Sequence, residues 1–308
     1  MTLGVIFPGQ GSQSVGMLSE LAEEFPVIQS TFEEASSAID VDLWQMSQQG
    51  PEEDLNQTHN TQPALLAAGI AVWRLWQQES RRQPLVMAGH SLGEYTALVA
   101  AGVIDFKVAI NLVAERGRLM QQAVPAGEGA MAAVLGLDDQ DVMKVCESAA
   151  QDQIVSAVNF NSPGQIVIAG NAAAVERAGD LATKAGASKV IPLPVSVPSH
   201  CALMKPAAME LHSFLGAAGY TTASVPVLHN IDAKEREDAG EISLALQQQL
   251  YRPVRWTQTI LEMQKRGVEQ LIEMGPGRVL TGLNRRIDRK IAAVCVFNPK
   301  SLSKALAL

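Results

Sequence analysis

The chain has 308 residues, 47% hydrophobic and 18% charged, a balance that excludes an intrinsically disordered class and predicts a globular protein. Its formal net charge of −8 argues against nucleic acid as a partner, because such binders carry a basic excess. The start, MTLGVIFPGQ, has no basic segment, and the longest apolar run, Ala64 to Trp73, is about half a membrane span, so a cytoplasmic protein with no membrane partner is expected.

The first element is a short apolar strand, LGVIF, closed by the turn PGQGSQ. The glycines there, at 9, 11 and 16, fit neither a dinucleotide loop nor a Walker loop. Helical periodicity follows over 18–40 and over 61–79, the second with Thr61 ahead of Pro63 in the first turn. PLVMA then reads as a strand, GHSLG as a turn and EYTALVAAGV as a helix, with another helix over about 105–123.

From residue 130 the pattern changes. AMAAVLG, IVSAVNF, QIVIAG and SKVIPLPV read as strands, with the acid-capped helix DDQDVMKVCESAA after the first and NAAAVERAGDLATKAG before the last. That order, βαββαβ, is the ferredoxin-like arrangement, which buries a small core of its own. Helices are expected over 201–219 and 241–265, then the strand EQLIEMG, the helix VLTGLNRRI and a closing strand IAAVCVF. The predicted fold is therefore α/β: a mostly parallel sheet with helices on both faces, α/β-hydrolase-like, plus an inserted ferredoxin-like subdomain. The catalytic part is assigned to 1–127 and 197–308, and the insert to 128–196. Cys146, Cys201 and Cys295 stand in separate segments with no C-x-x-C spacing, which suggests buried thiols and no metal site.

Gly89-His90-Ser91-Leu92-Gly93 is G-x-S-x-G at a strand-to-helix turn, the nucleophile elbow pattern, in which glycines allow a turn tight enough to expose the serine hydroxyl. A serine nucleophile needs a base, and five histidines compete for the role. His90 adjoins Ser91 on a tight turn and points away; His59 reads as a solvated loop residue, and His212 as partly buried in a helix. His200 ranks first, in a loop between strand and helix with two prolines before it, and His229 ranks second near a sheet end. On spacing alone, Arg116 reads as a solvent-exposed helical arginine and Gln10 as a surface cap in a Gly-rich turn.

Seven blocks change that weighing. FPGQGSQ, GHSLGEYTAL, RGRLMQ, NFNSPGQIVIAG, VSVPSHCALM, QQLYRPVRW and EMGPGRVL, in this order through nearly the whole chain, resemble the malonyl-CoA:acyl carrier protein transacylase family. The resemblance implies Ser91 as nucleophile and His200 as base, Gln10 and the Leu92 N–H as oxyanion donors, and Arg116 as the partner of the malonyl carboxylate. It implies that Gln249 orients the histidine, a backbone carbonyl or amide replacing the acid of a hydrolase triad. It also implies malonyl-CoA and acyl carrier protein as partners, ping-pong transfer with no cofactor and no metal, and a role in fatty acid biosynthesis. Asn159 and Asn161 are candidates to line the pocket, and a monomer is the default expectation. Because carrier proteins of this kind are acidic, the basic run Arg285, Arg286, Arg289 and Lys290 is a candidate docking patch, with Arg81 and Arg82 a second.

Overall fold

The computed structural model describes residues 1–194 and 197–308. Strand β1 (Leu3–Phe7) is buried throughout, as expected for a strand covered on both faces. The helical run over 18–40 divides at Pro26 into α1 (Ser19–Glu24) and α2 (Val27–Ile39). Proline lacks the N–H that would continue the first helix, and its fixed φ suits the start of the second. Two short helices that the pattern did not signal follow, α3 (Leu43–Gln49) and α4 (Glu52–Leu55); Asp42 caps the former by accepting from the Gln45 N–H at 2.8 Å. Helix α5 (Thr58–Glu79) begins before Thr61 and is buried on almost every face, which accounts for the apolar run 64–73. Among the described residues, no helix is long and apolar enough to cross a membrane.

Strand β2 (Val86–Gly89), α6 (Leu92–Ala100) and α7 (Phe106–Ala123) complete this half. The next unit contains β3 (Gly129–Leu135), α8 (Asp139–Ala150), β4 (Val155–Ser162), β5 (Gln165–Asn171), α9 (Ala172–Lys184) and β6 (Lys189–Pro192). Its sheet has the order β4-β5-β3-β6 with antiparallel neighbours, the ferredoxin-like topology. Strand β6 stops at Pro192, shorter than expected; Val195, placed at its end by the sequence pattern, lies outside the described residues.

The chain then continues through α10 (Lys205–Gly216), β7 (Val227–Leu228), α11 (Ala239–Gln249), α12 (Trp256–Lys265), β8 (Gln270–Met274), α13 (Val279–Ile287), β9 (Ala292–Val296) and α14 (Pro299–Leu306). The helix expected over 241–265 is two helices, with Pro253 in the break. The strands β7-β2-β1-β8-β9 form one sheet, parallel throughout. Alternate residues of β1 serve its two faces: Val5 and Phe7 join the large core with α5 and α7, while Ile6 joins Trp256, Ile260 and Leu280 beneath α12 and α13.

A seam of hydrogen bonds locks the two sheets together. Phe160 N–H donates to Val254 O at 2.9 Å, Val254 N–H to Val158 O at 2.8 Å, and Thr257 Oγ1 to Phe160 O at 3.1 Å. One face of the second sheet packs on α8 and α9, while Met131, Val158 and Val167 on the other meet Cys201, next to His200. The second unit therefore lies against the loop that carries His200, at the carboxyl ends of β1 and β2, where ligands bind in open α/β sheets.

Candidate active site

Strand β2 ends at Gly89 and α6 starts at Leu92, so His90 and Ser91 form the whole turn. A Cβ on Gly89 would lie 1.8 Å from the Gly93 carbonyl, and one on Gly93 would lie 2.1 Å from Phe7 O. Neither position has room for a side chain, so the elbow needs both glycines. Ser91 has φ +51° and ψ −110°, a conformation that costs a non-glycine residue about 1–3 kcal/mol and persists only when its surroundings hold it. The holder is Asn230, after β7: its Oδ1 accepts from Ser91 N–H at 2.7 Å, and its Nδ2 donates to Gly89 O at 2.6 Å.

Ser91 Oγ lies 2.8 Å from His200 Nε2, and His200 Nδ1 lies 2.7 Å from the Gln249 carbonyl oxygen. A carbonyl only accepts, so Nδ1 carries the proton and Nε2 presents a lone pair to the serine hydroxyl. Burial, reinforced by the Arg116 charge, pushes the His200 pKa down to about 3, so the ring is neutral and ready to accept a proton. Val195 and Ser196 of the block VSVPSHCALM lie outside the described residues.

The histidines ranked below His200 serve elsewhere. His229 is buried, with Nδ1 2.7 Å from Glu94 Oε1. His90 points away from the serine, as expected, and its Nε2 meets Asn161 Oδ1 on β4 at 2.8 Å. His59 is half-buried in the first turn of α5 rather than in a loop, against Gln121 at 2.9 Å, and His212 is exposed on α10 rather than partly buried.

Gln249 makes two separate contributions. Its backbone carbonyl holds His200, while its carboxamide does not touch the ring: Nε2 donates to Ser91 O at 2.9 Å and to Glu94 Oε2 at 2.8 Å, and Oε1 accepts from Arg116 Nη2 at 2.9 Å. Arg116 is 1% exposed, contrary to the solvent-exposed reading that its spacing suggested. Its Nη1 donates to Gln62 Oε1 at 2.8 Å, its guanidinium carbon lies 5.4 Å from the centre of the Tyr95 ring, and burial lowers its pKa. Among the described residues, no carboxylate is within ion-pair distance of it. Two of its five N–H donors are engaged by neutral amides, and its buried Nε has no hydrogen-bond partner among the described residues. Among the described residues, no group of three or more His, Cys, Asp or Glu side chains is placed to hold a metal ion.

The model of the acyl transferase domain family matches residues 5–294. A malonyl CoA-acyl carrier protein transacylase of Salmonella typhimurium is 56% identical over 301 residues, 98% of this chain and 97% of its own length. The chain belongs to the malonyl CoA-acyl carrier protein transacylase family. A solved acyl carrier protein S-malonyltransferase from Vibrio cholerae is 58% identical with a TM-score of 0.97, over 99% of this chain and 100% of that one. A malonyl-transacylase solved in complex with a type II PKS acyl-carrier protein is 56% identical with a TM-score of 0.98, over 100% and 99%.

In this transacylase family member, the expected oxyanion donors flank the elbow. Leu92 is the first residue of α6, where a helix leaves its amides without an intrahelical acceptor. Gln10 follows β1 on an exposed turn, with Nε2 donating to Thr58 Oγ1 at 3.2 Å, and its neighbour Gly9 packs against His90, where a Cβ would lie 2.4 Å from the carbonyl oxygen. Sequence reasoning missed Asn230, Glu94 and Gln62. Glu94 completes GHSLGE and Asn230 follows the second-ranked histidine, but their pairing spans more than 130 residues, and no local pattern signals it.

Proposed function

We propose that the chain transfers a malonyl group from malonyl-CoA to the phosphopantetheine thiol of acyl carrier protein, through an ester on Ser91, in fatty acid biosynthesis. His200 Nε2 takes the Ser91 proton as Oγ attacks the thioester carbonyl; the C–S bond breaks and the proton passes to the departing CoA sulfur. The carrier thiol then gives its proton to His200 and attacks the ester, and the C–O bond breaks as Ser91 regains the proton. The oxyanion of each tetrahedral intermediate sits between the Leu92 N–H and the Gln10 amide, which turns from Thr58 to reach it. Residues 1–127 and 197–308 carry the chemistry, and 128–196 cover the cleft and keep water from the ester. One copy of the chain suffices, acting in the cytoplasm without metal or redox cofactor and without nucleic acid.

The observation that carries this reading is Arg116: a buried guanidinium with no carboxylate partner among the described residues, joined through Gln249 to both Ser91 and His200. An acyl group that brings a carboxylate satisfies it, with the bidentate geometry that guanidinium favours. Intact mass spectrometry after brief mixing with malonyl-CoA or acetyl-CoA tests the proposal, with Ser91→Ala as control. A malonyl adduct that requires Ser91 and is discharged by holo-acyl carrier protein is expected; CoA release without carrier discharge would refute the transferase.

A further inference from the structure

The carboxylate nearest to Arg116 by hydrogen-bonded connection is Glu94, fully buried on α6 and separated from the guanidinium by the Gln249 carboxamide. Glu94 Oε1 faces His229 Nδ1, and Oε2 accepts from Asn230 N–H at 3.0 Å and Gln249 Nε2 at 2.8 Å. The Gln249 amide has only one workable orientation. A carboxylate and a carbonyl, both acceptors, face its nitrogen, and Arg116, a donor, faces its oxygen. Glu94 and Arg116 thus compensate each other's charge in the interior without forming the direct pair that would occupy the guanidinium.

We infer that Glu94 sets how tightly Arg116 grips the carboxylate of the substrate, acting as a buried counter-charge through the Gln249 amide. A direct Glu–Arg pair would consume the donors that recognise malonyl, and an uncompensated guanidinium would hold the malonyl carboxylate so tightly that its onward transfer would suffer. A counter-charge one amide away gives an intermediate grip, which suits an acyl group that must arrive and leave in every cycle. Glu94 is a positioning and specificity residue: its backbone N–H donates to Ser91 O at 3.0 Å, but its carboxylate touches neither the Ser91 hydroxyl nor the His200 ring. The inference rests on the malonyl reading proposed above.

The variant Glu94→Gln isolates the charge. The new carboxamide oxygen still accepts from Asn230 and Gln249, and its NH2 group faces His229, whose unpartnered Nε2 can take the ring proton and leave Nδ1 to accept. Steady-state kinetics with malonyl-CoA and acetyl-CoA should give a lower KM for malonyl-CoA and a malonyl-to-acetyl ratio of kcat/KM raised by about threefold or more. The variant should also melt at a lower temperature and recover more of that loss with added malonate than the parent does. An equal loss with both substrates, or a fall in the ratio, overturns the inference. Arg116→Ala separates the two levels: if it keeps the malonyl preference, the carboxylate reading fails and this inference with it. If it loses the preference while Glu94→Gln leaves the ratio unmoved, only the inference fails. Should Glu94→Gln not fold, Gln62→Glu applies the opposite perturbation by setting a carboxylate against Arg116 Nη1. The ratio should then fall about tenfold, and an unchanged ratio would overturn the counter-charge principle.

Discussion

Replacing Asn230 by alanine tests whether the nucleophile is held from behind. The side chain engages two backbone groups of the elbow, the Ser91 N–H at 2.7 Å and the Gly89 C=O at 2.6 Å. Its removal orphans both groups, at about 1–3 kcal/mol each, and gives a total destabilisation of about 2–6 kcal/mol. Part of that energy now holds Ser91 at φ +51°, so the turn should relax and the Oγ should move off the His200 lone pair. Two measurements are needed: urea unfolding for the stability loss, and rapid-quench intact mass for the rate of malonyl-serine formation, expected to fall about a hundredfold through lost alignment. A variant that loses less than about 1 kcal/mol and acylates at the parent rate would show that the elbow keeps its shape without Asn230, and would refute the reasoning.

Gln249→Glu is expected to lose stability, by about 3 kcal/mol or more, because it sets a second carboxylate against buried Glu94 and removes one of the two donors to Ser91 O, leaving the Glu94 N–H. It should not gain hydrolysis, since this side chain does not reach the imidazole; thiol-detected CoA release without carrier protein, faster than the parent's, would contradict the geometry. The depressed pKa of His200 predicts an acylation rate that shows no His200 limb between about pH 5 and pH 8, and a midpoint near 6.5 in single-turnover rates would refute it. The stability sign follows from the same shift. The unfolded imidazole binds a proton that the folded one refuses, so this residue's contribution is present above about pH 6.5 and declines as pH falls toward 3. Reversing charge at exposed Arg285 and Arg286 should raise the KM for an acidic carrier protein about tenfold at low salt, and less at high salt; an unaltered KM removes the patch from docking.

Alternation and caps made both sheets legible, because β1 and β3–β6 combine period-2 or all-apolar runs with turn residues at their ends. The expectations failed where proline divides one apolar periodicity, at Pro26 and Pro253, and at α14, whose Asn298–Ser301 capping box falls where the closing strand was taken to end the fold. Ser91 and His200 could be ranked because a strained turn and a strand-to-helix loop leave local traces. Gln249 could be named but not resolved, since a sequence does not say whether a residue acts by its carbonyl or by its side chain. Arg116 misled on spacing because polar residues on α7 look solvated until Gln62 and Gln249, 54 and 133 residues away, are seen to surround it.

The double contribution of Gln249 has a consequence for how this chain can tolerate insertions and deletions. Gln249 is the last residue of α11, where each residue turns the helix by about 100°. One residue added or lost between the Asp238 cap and Gln249 would swing the carbonyl away from the imidazole and, in the same motion, the carboxamide away from the guanidinium. Proton transfer and substrate choice are therefore in phase on one helix, and a single length change in α11 would abolish both at once.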